Sequence, residues 1–252
     1  MRNICMTVSY DGTAYCGFQT QPNQNTIQDV LERALLSLTG ETIKVTSSGR
    51  TDAGVHARCQ VINYLTASKI PVERWCMALN TLLPADILVS GAKLVDDNFH
   101  SRRAAVQKTY RYTIRCGKHP DLFKRHLEFY HPTPLNTEEM RAGLEYLKGE
   151  HDFTSFCSVR STKVSNIRTV YEARMECEQL DPLLQSYAIH IYLTGNGFLY
   201  NMVRIIAGTL IQVGEGKRSS EEVKDILNAR NRASAGPTAM SHGLTLWEVL
   251  YK

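Results

Sequence analysis

The sequence has no long hydrophobic run: no stretch approaches the about 20 apolar residues that span a bilayer, so we do not expect a membrane protein. Low-complexity segments and internal repeats are also missing, which argues against disordered and solenoid proteins. The first five residues carry one charge among interleaved polar and apolar residues, unlike a signal or transit peptide. We therefore expect a cytoplasmic protein.

Motifs for metal ions or nucleotide cofactors are missing too. There are seven cysteines, an odd number, and no C-x-x-C pair, which disfavours both a zinc site and a disulfide framework. The segment Gly214-Glu215-Gly216-Lys217 is not a P-loop, because Ile211 occupies the position of the first required glycine and Arg218 that of the Ser or Thr. We expect a surface turn there, and no metal or small-molecule cofactor.

The composition is that of a globular protein. Apolar residues make up 43% and charged residues 21% of the chain. The net charge is +4 and the pI is near 8.6, which permits a nucleic-acid partner without requiring one.

The first hundred residues predict the order strand, helix, strand, strand, helix, strand. Apolar alternation predicts the first strand over residues 4–10. Thr26 and Gly40 are expected to cap the first helix at its two ends. The second strand is expected to begin at Ile43 and Val45, further strands are expected at residues 59–66 and 87–95, and a helix is expected over residues 71–83. This order is typical of the split βαβ, ferredoxin-like arrangement.

The second part of the sequence predicts a looser version of the same plan. Strands are expected at residues 110–114, 168–178, 185–194 and 244–251, and helices at residues 137–147, 198–213 and 219–228, the first with Thr137 as its cap. We therefore expect an α+β protein of two ferredoxin-like (RRM-like) halves, with largely antiparallel sheets, helices on one side and a catalytic cleft between the halves. The expected domains are residues 1–103 and 104–252.

The most unusual segment is residues 49–57, which lies between two predicted strands. Small neighbours leave the carboxylate of Asp52 accessible, and the glycines at 49 and 54 allow unusual backbone angles. Arg50 is close enough in sequence to favour the ionised carboxylate. The alternative is a surface turn in which Asp52 only binds backbone amides. His56 could be a base or a metal ligand, although no second histidine follows at helical spacing.

Basic residues form two further features. Within about fifteen residues lie Arg102, Arg103, Lys108, Arg111 and Arg115, with Tyr110 and Tyr112 between them. This pattern suits phosphate contact with base stacking, or simply a solvated strand face. Arg204 lies within an apolar predicted helix, where an arginine needs a carboxylate partner or a route to water. Asp52 is an attractive partner.

In combination, these segments are similar to the tRNA pseudouridine synthase A family. The segment at residues 49–57 resembles the catalytic motif of that family. Further matching blocks follow one another in the family's order at residues 10–19, 99–102, 108–112, 152–156, 198–204 and 243–244. The departures are small: Phe18 stands where tryptophan is common, and Ser241-His242 replaces a more usual pair.

The resemblance implies isomerisation of uridine to pseudouridine at positions 38, 39 and 40, in the anticodon stem-loop of tRNA. It implies that Asp52 is the nucleophile, that Arg204 pairs with it, that Tyr110 lies against the target base and that Arg50 fills the space of the extruded base. Residues implied to grip RNA are Arg58, Arg102, Arg103, Lys108 and Arg111. It also implies a homodimer and no cofactor.

Two other functions fit parts of the sequence. A non-catalytic RNA-binding module would account for the sheet and the basic strand, but it gains nothing from a carboxylate beside its phosphate groove. A metal-dependent nuclease needs clustered carboxylates, and the adjacent pair Asp96 and Asp97 has no predicted connection with Asp52.

Overall fold

The computed structural model describes residues 1–159, 165–181 and 186–252. It divides into two compact units: residues 1–106 with 245–252 form the first unit, and residues 107–244 form the second unit. Both combine helices with largely antiparallel sheets, which confirms the predicted α+β class. Residues 245–252, expected in the second half, cluster with the first unit.

The elements are numbered in chain order. They are β1 (Arg2–Tyr10), α1 (Ile27–Thr39), β2 (Thr46–Ser47), β3 (His56–Thr66), α2 (Trp75–Asn80), β4 (Ile87–Val95), β5 (Ala105–Cys116), β6 (Phe129–His131), α3 (Thr137–Glu145), β7 (Gly149–Asp152), β8 (Ile167–Asp181), β9 (Ser186–Gly195), α4 (Met202–Gly214), α5 (Glu222–Ala229) and β10 (Leu244–Tyr251).

The sheet of the first unit is built around β1, which lies between β4 and β3 with both neighbours antiparallel. The short β2 pairs antiparallel with β3 near Asn63, and β10 pairs parallel with the start of β3, where Thr245 lies opposite His56. The order β4-β1-β3-β2 agrees with a split βαβ arrangement in this unit. The alternating apolar residues of β1 are buried, as its sequence pattern predicts.

Helix α1 confirms the predicted capping residues. The Thr26 hydroxyl accepts a hydrogen bond from the Asp29 N–H, and Gly40 ends the helix with a φ of 74°. The helix predicted over residues 71–83 is shorter than expected: a 3₁₀ turn, Val72–Arg74, precedes α2, which ends at Asn80. The Asn80 side chain exchanges two hydrogen bonds of 2.9 Å with the Val89 backbone. It thereby ties the end of the helix to β4.

In the second unit the strand order is β5-β9-β8-β7, all antiparallel, with β6 parallel to β5. Residue 185, the expected start of β9, lies outside the described residues. Helix α3 packs against α4 and β8. Its cap is Asn136, not Thr137, because the Asn136 side chain accepts the Glu139 N–H at 3.2 Å. Helix α4 begins at Met202, four residues later than expected, because Asn201 has a φ of 61° that an α-helix does not accommodate.

Among the helices of the described ranges, none has the length and apolar character needed to cross a bilayer.

Candidate active site

Asp52 lies in the first unit, on the connection between β2 and β3, which we call the Asp52 loop (residues 48–55). The Val55 N–H donates to the Asp52 carbonyl at 3.1 Å, so residues 52–55 form a turn. Gly54 is the third residue of this turn and has a φ of 73°, as a type II turn requires. The predicted need for glycine is thus confirmed at position 54, and the Asp52 side chain is half-buried.

Buried polar side chains hold the Asp52 loop to the sheet. The hydroxyls of Tyr10 and Thr51 are 2.7 Å apart. Gln60 donates from its amide nitrogen to the Gly49 carbonyl at 2.8 Å, and its amide oxygen accepts the Ser48 hydroxyl at 2.6 Å. Residues of β1 and β3 therefore bind the segment leading into Asp52 at Ser48, Gly49 and Thr51.

A second loop, residues 11–18, lies directly on the Asp52 loop. A Cβ atom at Gly12 would stand 2.1 Å from the Val55 carbonyl oxygen. One at Gly17 would stand 2.6 Å from the Thr51 carbonyl oxygen, and Gly17 also has a φ of 88°. Only glycine permits so close an approach of two backbones. The matching block at residues 10–19 is therefore part of the support of the Asp52 loop.

His56 contributes to the same support. It is buried, and its Nδ1 accepts the Gly12 N–H at 3.0 Å while standing 3.1 Å from Asp11 Oδ1. In the described ranges no three His, Cys, Asp or Glu side chains are grouped as a metal site would need. The contacts of His56 join the loop at residues 11–18 to the start of β3.

Arg204 lies in the second unit, in the first turn of α4, where it is half-buried among buried neighbours. Its Nε donates to the Ala239 carbonyl at 2.8 Å and its Nη1 to Asn201 Oδ1 at 2.9 Å. The Ala239 N–H donates in return to the Arg204 carbonyl at 3.0 Å. The position in an apolar helix is confirmed, and the guanidinium is held by oxygens on both sides of it.

The segment that binds Arg204, residues 235–240, runs tightly along α4. A Cβ atom at Gly208 would stand 1.9 Å from the Pro237 carbonyl oxygen. The Gly236 N–H donates to the Thr209 hydroxyl at 3.0 Å. The placement of Arg204 therefore depends on a contact between α4 and residues 235–240. This contact is as close as that between residues 11–18 and the Asp52 loop.

Tyr110 is buried in β5 of the second unit, and its ring meets Phe198 edge to face, with centroids 5.1 Å apart. Tyr112 lies on the same face of the strand, and its hydroxyl donates to the Met240 carbonyl at 3.0 Å. Burial raises the pKa of Tyr112, and the Arg204 guanidinium opposes that rise. Arg204 and Tyr112 are therefore close enough to interact electrostatically.

The predicted RNA-contact residues differ in exposure. Arg50 is exposed, and so are Arg58, Arg102 and Arg103, whereas Lys108 and Arg111 are half-buried. The guanidinium of Arg58 lies over the Trp247 ring, 4.3 Å from its centroid. Because side chains alternate along a strand, Lys108 shares a face of β5 with Tyr110, and Arg111 points to the opposite face. The basic and aromatic side chains of β5 thus do not form a single surface.

Arg115, which the sequence pattern grouped with the basic cluster, has a different role. Its Nη2 lies 2.9 Å from Asp121 and its Nε 2.9 Å from Glu128. Two carboxylates neutralise this largely buried guanidinium and tie down the loop after β5. The inclusion of Arg115 in a phosphate-binding surface is therefore wrong.

Sequence reasoning missed the supporting residues Tyr10, Gln60 and Phe198. Their residue types are ordinary for a strand or a loop, and only the folded chain brings them to Asp52 or Tyr110. The one available signal was their membership of, or closeness to, the matching blocks.

The chain is similar to known proteins over nearly its whole length. A sequence profile described as tRNA pseudouridine synthase matches residues 6–102 and 144–252. The chain is 50% identical over 253 residues to tRNA pseudouridine synthase A of Bacillus subtilis strain 168, spanning all of this chain and 99% of that relative. It is 49% and 48% identical, with the same coverage, to the proteins of that name from Bacillus velezensis and Bacillus licheniformis.

Proposed function

The chain belongs to the tRNA pseudouridine synthase family, and from that premise we propose which of its residues carry the reaction and where it acts on tRNA. The family isomerises uridine to pseudouridine in tRNA. We assign the nucleophile to Asp52 and the target to positions 38, 39 and 40 of the anticodon stem-loop. The observation that carries this assignment is a half-buried carboxylate on a loop whose backbone is bound on both sides of it.

The isomerisation exchanges one bond for another and needs no redox step. The bond from N1 of uracil to the sugar C1′ breaks, the base rotates, and a bond from C5 to C1′ forms. C5 loses a proton and N1 gains one, so the atoms balance. The ionised carboxylate of Asp52 supplies the nucleophile, and held in place it avoids the entropic cost of being oriented during the reaction.

The remaining site residues are proposed in supporting roles. Arg204 is the ionic partner that keeps Asp52 ionised and oriented, a role that suits a guanidinium already held by Ala239 and Asn201. Tyr110 lies against the target base, with its ring oriented by Phe198. Arg50, exposed and two residues from Asp52, occupies the space left when the base is extruded, which costs a few kcal/mol.

We propose that residues outside the reaction centre bind the phosphates of the tRNA backbone. They are Arg58, Arg102, Arg103, Lys108 and Arg111. Contacts of this kind are independent of sequence and weaken as salt rises. They fit the net charge of +4, and the proposed location is the cytoplasm, where tRNA is found.

The proposal includes a homodimer, for which the loop after β5 offers an apolar surface. Leu122 is 65% and Phe123 is 96% exposed, although Arg115 holds this loop through Asp121 and Glu128. Apolar side chains held out to solvent in an ordered loop favour association. We expect Phe123→Asp to sediment as a monomer under conditions in which the parent protein sediments as a dimer. Identical sedimentation of the variant and the parent would show that this loop is not the dimer interface.

The experiment that tests the function uses the pure protein, a chelator and tRNA transcripts with labelled uridine. One transcript carries uridine at positions 38, 39 and 40, and a matched one carries cytidine there with the stem pairing restored. Pseudouridine is expected only in the first. Pseudouridine in both would refute the assignment of positions, and none in either would refute the assignment of this reaction to the chain.

A further inference from the structure

Four buried polar side chains form a cluster in the interior of the first unit. Ser48 and Thr51 belong to the Asp52 loop, and Tyr10 and Gln60 come from strands β1 and β3. Gln60 and Ser48 are 0% exposed, Tyr10 is 4% and Thr51 is 6% exposed. Their mutual hydrogen bonds join Tyr10 to Thr51 at 2.7 Å and Ser48 to Gln60 at 2.6 Å. We call these residues the buried polar cluster.

The position of the cluster in the sheet is unusual, because its neighbours are apolar. Val8, directly opposite Gln60 in the β1–β3 pair, and Met6 are fully buried. Polar groups at such positions are costly to bury unless each finds a partner. An apolar residue in place of Tyr10 or Gln60 would be buried equally well. The stability of the sheet alone therefore does not account for the cluster.

The two strand residues of the cluster bind the Asp52 loop. Tyr10 binds the Thr51 hydroxyl, and Gln60 binds the Gly49 carbonyl. These are the residues one and three positions before Asp52. The pairing of β1 with β3 shifts register between Val8 and Tyr10, and a bulge of this kind redirects side chains near a site.

The cluster is also electrically neutral. Burial raises the pKa of Tyr10 to about 12, although the side chains of Thr51 and Gln60 act in the opposite direction. The hydroxyl therefore stays protonated throughout the range in which tRNA is stable. The support that Tyr10 gives to the loop is therefore the same at every working pH.

We propose that Tyr10 and Gln60 are positioning residues of the isomerase, which hold the backbone before Asp52 so that its carboxylate meets the target nucleotide in a single orientation. This inference rests on the proposed role of Asp52. Neither residue touches the substrate. Loss of their bonds loosens the segment before Asp52, and a displacement of about 1 Å costs up to roughly 100-fold in rate.

The test is a double-mutant cycle on the bond between Tyr10 and Thr51, followed by single-turnover pseudouridine formation and by tRNA binding. Tyr10→Phe and Thr51→Val each remove one partner without a large change of shape. Each is expected to lower the rate about 10- to 100-fold and to leave the Kd for tRNA within twofold. The double mutant should be no slower than the slower single mutant, since both lose the same bond. Thr51→Ser should recover most of the rate, and Gln60→Met should also be slow.

Tyr64→Phe is the matched control. Tyr64 is a buried tyrosine of the same sheet, and among the described residues its hydroxyl has one hydrogen-bond partner, the Met6 sulfur at 3.6 Å. We expect its rate to match that of the parent protein. Independent, multiplicative losses in the cycle, or an equal loss in Tyr64→Phe, would refute positioning in favour of a general effect on stability. An unchanged rate in Tyr10→Phe would refute it as well.

If instead Asp52→Asn stays active, the proposed nucleophile is wrong. An inactive Asp52→Asn beside a fully active Tyr10→Phe would refute only the positioning role of Tyr10 and Gln60.

Discussion

The Asp52 loop and the Arg204 segment are held in different ways, although both are regions of close backbone contact. The Asp52 loop is bound by the neutral side chains of Tyr10 and Gln60 and by neighbouring backbone. Arg204 is held through its own guanidinium, which donates to Ala239 and Asn201. Substitutions near Asp52 should therefore change the orientation of its carboxylate. Substitutions at Arg204 remove a charge, the hydrogen bonds that orient it and its packing contacts together.

The largest effect is expected for Asp52→Asn, which keeps the shape of the loop and removes the nucleophile. Pseudouridine formation should fall by a factor on the order of 1,000 or more, as for loss of other covalent nucleophiles. The Kd for tRNA should change less than twofold, because phosphate contacts dominate binding. Single-turnover assays and filter binding measure the two quantities, and substantial residual isomerisation would rule out Asp52 as nucleophile.

Arg204→Ala should have the next largest effect. If Arg204 is the partner of Asp52, removal of one member of a half-buried pair costs up to about 3–5 kcal/mol of unfolding free energy and lowers the rate. The acid limb of the pH–rate profile should move to higher pH, because the carboxylate loses a cation that favours its charged form. Arg204→Lys should recover stability better than activity, since an ammonium lacks the planar donor geometry. A profile unchanged in Arg204→Ala would exclude the pairing.

Alanine at the tight glycines tests the two regions by shape alone. In Gly12→Ala the new methyl meets the Val55 carbonyl, and in Gly208→Ala it meets that of Pro237. Each should cost about 1–3 kcal/mol and lower activity, through Asp52 in one case and Arg204 in the other. Gly40→Ala is the control: no atom lies within 4 Å of the added Cβ, but the φ of 74° remains unfavourable. For Gly40→Ala, thermal unfolding should show a loss of about 1 kcal/mol in unfolding free energy, and activity should be normal. Equal losses of activity in all three variants would contradict the comparison of the two regions.

The smallest effect concerns pH. The hydrogen bond from Lys217, assisted by His131, holds the pKa of Glu215 below its usual value of about 4.5, at the end of α4. A carboxylate with a depressed pKa contributes stability that is present above its unfolded pKa and is lost as pH falls through its folded pKa. For this partly exposed group the contribution is below about 1 kcal/mol. Unfolding of Glu215→Gln and the parent protein, measured at pH 7 and pH 3, should differ at pH 7 and converge at pH 3.

Elements with strong local signals were predicted well. The bounds of β4 and β10 match the expected ones, and α1 has both predicted caps, because alternation and capping depend on residues close in sequence. The short strands β6 and β7 were missed. Strands of three or four residues are too short for a visible alternation, and their pairing partners lie elsewhere in the chain. The start of α4 was placed too early, because apolar residues before Asn201 continue the helical pattern through a loop.

The sequence by itself indicated the family, through several matching blocks in the family's order, and the α+β class, through the order of its predicted elements. The resemblance then implied that Asp52 is the nucleophile. Only the tertiary structure decided what holds that carboxylate in place. Tyr10 and Gln60 come from different strands and bind the Asp52 loop across gaps of 41 and 11 residues. It also decided that Arg115 is neutralised by Asp121 and Glu128. Hydrogen bonds and ion pairs depend on distances of about 3 Å, and such distances between residues remote in sequence exist only once the chain has folded.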